Sequence, residues 1–491
     1  MPNGNVGAGI LSIITESLYD KPIVVFREYV QNSVDSFRRA EEVKVNGNDL
    51  YCKIWLDGNC LFLLDNGNGI NKEKFYNKMV DIGISEKKQS KDIGYKGIGR
   101  LSGLSYCSKL IFINICSYKD SNYQKYYIDG EKYNSIKTSS ENYELEYKNL
   151  MESIGTYTEE VKDRDLAEIQ SILNPYQNMF EKQDTGFLVI LENISNVLKE
   201  TIEKKDFYEE LGWLLPVKFK DELFDSNNNQ LFKDMSTPLN ELKIIPTKFY
   251  NISYNNRAIE RPIKNEMLRR YTCKCDFKYA IGFHSFYGDR INISKENKFS
   301  GIKLYLDNML LCDENELIPI LQKYGLIKHT ANELIQTVKG IGAMIYITDK
   351  INISPNARRT FIEVTDDNSL EFLRYLAEFV NNIYIARYAL SKYSSAKKAL
   401  DQPKEKLEQL RMDANSALQK LASEKITIQF DEDSPIKFQN LDEIEKKKAI
   451  KKKLTNGMNK KINDYLLQTS TYDYNNVLSD FIIWLSSNKD S

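Results

Sequence analysis

The sequence predicts an α+β protein in three parts: an N-terminal α/β sandwich over residues 1–192, an α/β middle domain over 193–367 and a helical C-terminal region over 368–491. Three observations predict it. Between residues 26 and 64 an amphipathic helix gives way to apolar strands, and β-rich runs follow at 109–117, 122–129 and 186–191. Farther on, strand-like runs at 279–284, 301–306 and 342–347 alternate with helical stretches such as Glu314 to Tyr324, the pattern of an α/β layer. From residue 368, Leu370, Phe372, Leu373, Leu376, Phe379 and Val380 recur at helical spacing.

The first part carries three elements with chemical content. In the helix, Phe26, Tyr29, Val30, Val34 and Phe37 make an apolar stripe suited to packing on a sheet. Glu28 and Asn32 lie one turn apart on another face, with Asp35 three residues farther, so a carboxylate and a carboxamide stack where they can hold a metal and a water. A solvated polar face has the same spacing. The strand Leu61–Leu64 then ends in Asp65-Asn66-Gly67-Asn68-Gly69, which offers a carboxylate to an exocyclic amine beside two glycines that let a flat ring lie on the backbone. A tight Asn-Gly turn reads the same way. The third element, Gly94, Gly97 and Gly99 in Gly-x-x-Gly-x-Gly, would present backbone N–H groups to an anion at the start of a helix over 100–107. A glycine pattern by itself is a weak signal.

In this order and spacing, the three elements resemble the N, G1 and G2 boxes of the GHKL (Bergerat-fold) ATPases, and most of all their ninety-kilodalton heat-shock chaperone, HtpG-like branch. Glu28, Asn32 and Asp35 are similar to its Glu-x-x-x-Asn-x-x-Asp, and Asp65, Gly67 and Gly69 to its Asp-x-Gly-x-Gly. Ile82 to Ser85 with Gly94 to Gly99 are similar to its lid and phosphate loop. The resemblance implies a Bergerat-type ATP-binding domain over 1–192. It implies Glu28 as the base that orients the attacking water, Asn32 as the Mg²⁺ ligand with Asp35 beside it, and Asp65 as the adenine reader with Gly67 and Gly69. Gly94, Lys96, Gly97, Ile98 and Gly99 would form the phosphate cradle. A carboxylate base with oxygen-liganded Mg²⁺ suits phosphoanhydride hydrolysis, and Glu28 favours a hydrolase over a kinase. One departure stands out. The family's closing Gly-Thr-x-Val is replaced by Thr185-Gly186-Phe187, so either Thr185 substitutes for the usual threonine or that contact is missing, and Gly186 also suits a crowded strand start.

Farther along, Gly301 to Leu306 resembles a segment of the chaperone middle domain, and Pro355-Asn356-Ala357-Arg358-Arg359 looks like an arginine loop of the shorter relatives. The resemblance implies that Arg358 or Arg359 reaches the γ-phosphate; an interdomain salt bridge is the other reading. It ends near residue 365. Beyond it, Leu407, Leu410, Leu418 and Leu421 lie among charges in a coiled-coil-like pattern, and the C-terminal region is where self-association into a homodimer is expected. A basic run, Lys446 to Lys453, is either a solvated helix face or a phosphate-binding stretch.

Composition sets the outer bounds. The 491 residues are 42% hydrophobic and 28% charged, with a net charge of −1, so no global field recruits nucleic acid or membrane. No apolar run reaches the ~18 residues of a membrane span, and the start lacks a signal-like pattern, so a cytoplasmic location is expected. Seven cysteines scattered in apolar contexts read as reduced thiols, and Cys273 and Cys275 lack the second pair that a zinc site needs. The two histidines, His284 and His329, have no triad-like neighbours. The expected activity is therefore an ATP- and Mg²⁺-dependent conformational switch, chaperone-like, acting on protein clients or on a partner protein of the same system. The alternatives are a clamp of the MORC or MutL kind that closes on nucleic acid, and a scaffold that binds ATP without hydrolysing it.

Overall fold

The computed structural model describes residues 21–43, 45–81, 99–138, 147–219, 248–263, 272–286, 299–349, 351–356 and 360–398. The chain forms two compact units, Met1–Lys218 with Lys248–Pro262, and Phe219–Thr247 with Ile263–Ser491. The fold is mixed α and β, and no helix among the described residues is long and apolar enough to cross a membrane.

The first unit is built on an eight-stranded sheet. In chain order its elements are α1 (Val24–Glu42), β1 (Tyr51–Asp57), β2 (Cys60–Asp65), α2 (Phe75–Val80), β3 (Cys107–Ser117) and β4 (Asn122–Asp129). They continue with α3 (Gly130–Thr138), α4 (Tyr147–Ile154), β5 (Gly155–Thr158), α5 (Asp163–Leu173), β6 (Gly186–Ile194), α6 (Asn196–Ile202), α7 (Phe207–Leu214), β7 (Asn251–Tyr254) and β8 (Arg257–Ala258). The strand order is β5-β4-β3-β6-β2-β1-β7-β8, antiparallel throughout except where β7 joins β1 in parallel. β6, late in sequence, thus sits in the middle of the sheet, hydrogen-bonded to both β2 and β3. Side chains alternate across each strand. Leu64, Ile111, Ile113, Leu188 and Ile190 share one face with Ile169 and Leu173 of α5 and with Met179 and Phe180 of the 3₁₀ turn after it. Asp65 projects to the opposite face, where Ser33 of α1 meets it.

α1 is buried on nearly every side. Its apolar positions at three- and four-residue spacing are covered, but so are Glu28, at 4% exposure, and Asp35, at 0%. A solvated polar face is therefore not what the Glu28, Asn32, Asp35 spacing records. The chain after Asp65 is fixed by buried amides. Asn66 accepts a hydrogen bond from the Tyr51 amide at 2.7 Å and donates to the carbonyls of Asp49 at 2.8 Å and Met179 at 2.6 Å. Asn114 on β3 accepts from the Ile70 amide at 2.9 Å and donates to the Ile70 carbonyl at 2.7 Å and to Gln124 Oε1 at 2.9 Å. Gln124 in turn donates to the Lys72 carbonyl at 3.0 Å. Gly69 completes this turn in the left-handed region, with φ of 57°.

Residues 196–214 and 251–258, which the sequence assigns to the middle domain, belong to the first unit. Phe207 of α7 packs edge-on against both Phe26 of α1, at 5.1 Å, and Tyr254 of β7, at 5.3 Å. Arg261 is wholly buried and donates to the Leu215 carbonyl at 2.9 Å and the Gly212 carbonyl at 3.5 Å, filling the acceptors that the end of α7 leaves open. A second correction concerns 100–107. In place of the expected helix there are two 3₁₀ turns, Gly99–Leu101 and Leu104–Tyr106, and β3 begins at Cys107.

The second unit has a five-stranded sheet of order β12-β11-β13-β10-β9, from β9 (Thr272–Phe277), β10 (Ala280–Phe286), β11 (Gly301–Leu306), β12 (Met309–Cys312) and β13 (Ile341–Ile347). Helices α8 (Glu314–Lys323), α9 (Ala331–Val338) and α10 (Asp367–Lys398) cover one of its faces. Asp313 and Glu316 form a reciprocal cap at the start of α8. His284 lies in this core edge-on to Phe379 at 5.6 Å, and burial lowers its pKa to about 4, which keeps it neutral. The apolar face of α10 is a further correction. Phe372, Leu373, Leu376, Phe379 and Val380 are fully buried among Leu304, Leu334, Val338 and Ile345, so they are core of this unit and not a surface left for self-association. The segments 404–421 and 446–453 lie outside the described residues.

Phe372→Ala should therefore lower folding stability by about 3–5 kcal/mol, read from urea denaturation, with a midpoint that does not move with protein concentration. A concentration-dependent midpoint in the native protein that Phe372→Ala abolishes would instead mark this face as an interface.

Candidate functional site

The end of β2 places Asp65 on the α1 side of the sheet, one turn of helix carries Ser33 to it, and the next two residues fold back over it. Ser33 Oγ donates to Asp65 Oδ2 at 2.8 Å, and the Gly67 amide donates to Oδ1 at 2.9 Å. An ionised carboxylate has room for about four hydrogen bonds, so acceptor capacity remains. Burial nevertheless dominates, raising the Asp65 pKa to about 6, against the lowering effect of Gly67, Ser33 and the more distant charge of Arg39.

Gly67 packs tightly beside this carboxyl group and against Ser36. A Cβ there would lie 2.3 Å from Ser36 Oγ and 3.0 Å from Asp65 Oδ1. Ser36 is buried, and its hydroxyl has no hydrogen-bond partner. The Gly67 carbonyl accepts from Thr185 Oγ1 at 2.8 Å and from Gln183 Nε2 at 3.2 Å, and Gln183 also donates to Thr185 Oγ1 at 2.7 Å. The Thr185 hydroxyl thus touches the Asp65 turn although its order with glycine is reversed. Gly186 is required for a separate reason, since a Cβ there would fall 2.2 Å from the Asp65 carbonyl.

Glu28 lies along α1 from Ser33, buried and paired with Arg27 at 3.3 Å. A Cβ on Gly99 would be 2.3 Å from Glu28 Oε2, so the last glycine of the loop is flush against this carboxyl group. Asn32, half-buried, is one turn from Glu28, and Asp35 is wholly buried beyond it. Gly94, Lys96, Gly97, Ile98, Arg358 and Arg359 lie outside the described residues, as does the rest of 82–98.

The structure therefore brings Asp65, Gly67 and Thr185 together at the end of β2 and Gly99 against Glu28, with Asn32 and Asp35 on the same helix as Glu28. It adds Ser33, Ser36 and Gln183, which the sequence reading passed over. Ser33 and Ser36 were legible in principle: they follow Tyr29 at four and seven residues and so share its helix face. Gln183 carried no such signal, because its place depends on the pairing of β6 with β2.

The residues fit a purine nucleotide. A buried carboxyl group that keeps acceptor capacity after bonding to Ser33 and Gly67 suits a base bearing an exocyclic amine. At the other end, a glycine backbone flush with Glu28 suits a phosphate chain. The described residues hold no group of three or more His, Cys, Asp or Glu placed to hold a metal ion, so a cation at Asn32 would take its other ligands from phosphate and water, which is how Mg²⁺ commonly binds.

Because Asp65 binds its proton more tightly in the folded chain than at its ordinary value of 3.8, it contributes stability below about pH 4 that is lost as pH rises through about 6. Ligand-free protein should therefore lose on the order of 3 kcal/mol relative to Asp65→Asn between pH 4 and pH 7, measured by denaturant titration at each pH. A pH-independent difference would contradict the buried carboxyl group described here.

A search of the curated proteins finds no match. Residues 21–163, which include Glu28, Asn32, Asp65 and Gly99, match the family model of histidine kinase-, DNA gyrase B- and HSP90-like ATPases, and this part of the chain is accordingly similar to the ATP-binding domain of the GHKL group.

Proposed function

We propose that the protein is an ATP hydrolase that works as a nucleotide-gated conformational switch, chaperone-like and acting on protein clients. The observation that carries the reading is the buried Asp65 carboxyl group, which keeps acceptor capacity after Ser33 and Gly67 bond to it, while Glu28 of the same helix as Ser33 packs against Gly99. Asp65 accepts the exocyclic amine of adenine, while Ser33 and Thr185 fix the turn that carries Gly67. The Gly99 backbone meets the phosphates, and Glu28 orients water against the terminal phosphate and accepts its proton. Asn32 would hold Mg²⁺, which supplies neutralisation of phosphate charge when bound. Arg358 or Arg359 would add a cation at the γ-phosphate.

The chaperone-like reading draws on the likeness of 301–306 to the chaperone middle domain, now seen as the strand β11. A nucleic-acid clamp is the second reading, favoured by the basic run Lys446 to Lys453.

Glu28→Ala should reduce Mg²⁺-dependent ATP turnover by about 10²-fold or more while nucleotide binding persists, followed by phosphate release and by calorimetry in parallel. Native protein that binds ATP without turning it over would sink the hydrolase and leave an ATP-gated scaffold. The two readings of the switch separate on duplex DNA. The chaperone-like reading expects no retention at low salt, whereas retention that falls steeply as salt rises would favour the clamp.

A further inference from the structure

We propose that Tyr29 is a positioning residue for phosphate binding and hydrolysis: its hydroxyl clips the Gly99–Gly103 segment to the helix that carries Glu28. The inference rests on the nucleotide reading given above and assigns a role to a residue that the sequence pattern places only in an apolar stripe.

Tyr29 is buried, and its hydroxyl is used in both directions. It donates to the Arg100 carbonyl at 3.0 Å and accepts from the Gly103 amide at 3.1 Å. Burial raises its pKa well above that of an ordinary phenol, so the donor proton is present at every working pH. Gly103 is shaped to the contact, since a Cβ there would lie 2.6 Å from the Tyr29 oxygen and 3.0 Å from Leu191 Cδ2. The adjacent residue, Glu28, faces Gly99. Two successive residues of α1 therefore meet two ends of one short segment: Glu28 at Gly99, and Tyr29 at Arg100 and Gly103. Within that segment the Ser102 amide donates to the Gly99 carbonyl at 3.1 Å, which makes it a closed turn. Arg100 extends the same fixture by donating from Nε to the Met79 carbonyl at 3.4 Å and from its guanidinium to the Asp81 carbonyl.

Among the described residues this segment forms two 3₁₀ turns in place of the expected α-helix, each too short to carry a useful dipole. The offset between Glu28 and the Gly99 backbone is set instead by the phenol. Catalysis by positioned groups falls steeply with small misplacements, so losing this clip should be felt at the phosphates and not at the base.

The test is Tyr29→Phe in the full chain, which keeps the ring and removes only the hydroxyl. Affinities for ATP and for adenosine are measured by calorimetry, with kcat and KM for ATP alongside. ATP affinity and kcat should each fall about tenfold while adenosine affinity stays unchanged. Backbone amide exchange in a peptide spanning 99–106 should quicken without nucleotide. A variant in which ATP and adenosine weaken by the same factor, or in which neither changes, overturns the positioning role. If Tyr29→Phe fails to fold, Gly103→Ala, which crowds the hydroxyl while leaving Tyr29 in place, must show the same selective loss for ATP. Native protein that binds neither ligand overturns the nucleotide reading itself, and this inference with it.

Discussion

A carboxyl group in a protein interior needs partners, and the first unit is arranged around those of Asp65. The register of β2 turns the side chain toward α1, Ser33 reaches it from the helix, and the Gly67 amide folds back onto it. Each partner is then held by something else. Thr185 and Gln183 fix the Gly67 carbonyl from the start of β6, and Asn66, Asn114 and Gln124 hold the chain that enters and leaves the turn. Polar groups buried at this density are costly unless satisfied, so the network also defines which arrangement the turn can take. The same network leaves the buried Ser36 hydroxyl unpartnered and Asp65 with acceptors to spare.

The helix α1 carries Ser33, which bonds to Asp65, and also Glu28 and Tyr29, which meet the Gly99–Gly103 segment. Because these residues sit on one rigid element, their spacing is set by helix geometry and needs no loop to maintain it. Burial of Glu28 and Asp35 among apolar neighbours has a counterpart in the Arg27 ion pair, which gives Glu28 a partner out of water.

Much of this was legible in the residues. Apolar runs and alternation mark β1 to β4 and, in the second unit, β10, β11 and β13 but not β9 or β12; the spacing of Glu28, Asn32, Asp65 and the glycines marks the region that matches the family model. What failed did so for tertiary reasons. The domain boundary near residue 193 was misplaced because β7 returns to the first sheet after a long excursion, a parallel pairing with β1 that no local pattern signals. The face of α10 looks the same whether it packs on a sheet or on another copy, since amphipathicity records burial and not the partner. The helix expected after Gly99 yields to 3₁₀ turns because the Arg100 carbonyl and the Gly103 amide are drawn to Tyr29 and away from helical partners. A tyrosine in an apolar stripe reads as packing until its hydroxyl is located.

The claim on which the rest depends is that Asp65 reads an exocyclic amine. Displacement of a fluorescent ATP analogue by ATP and by inosine triphosphate, which differs by carrying an oxygen in place of that amine, tests it most directly. ATP should compete about 10- to 100-fold more strongly, the range expected for one hydrogen bond to a charged acceptor. Equal competition by the two nucleotides would contradict the placement of the base at Asp65.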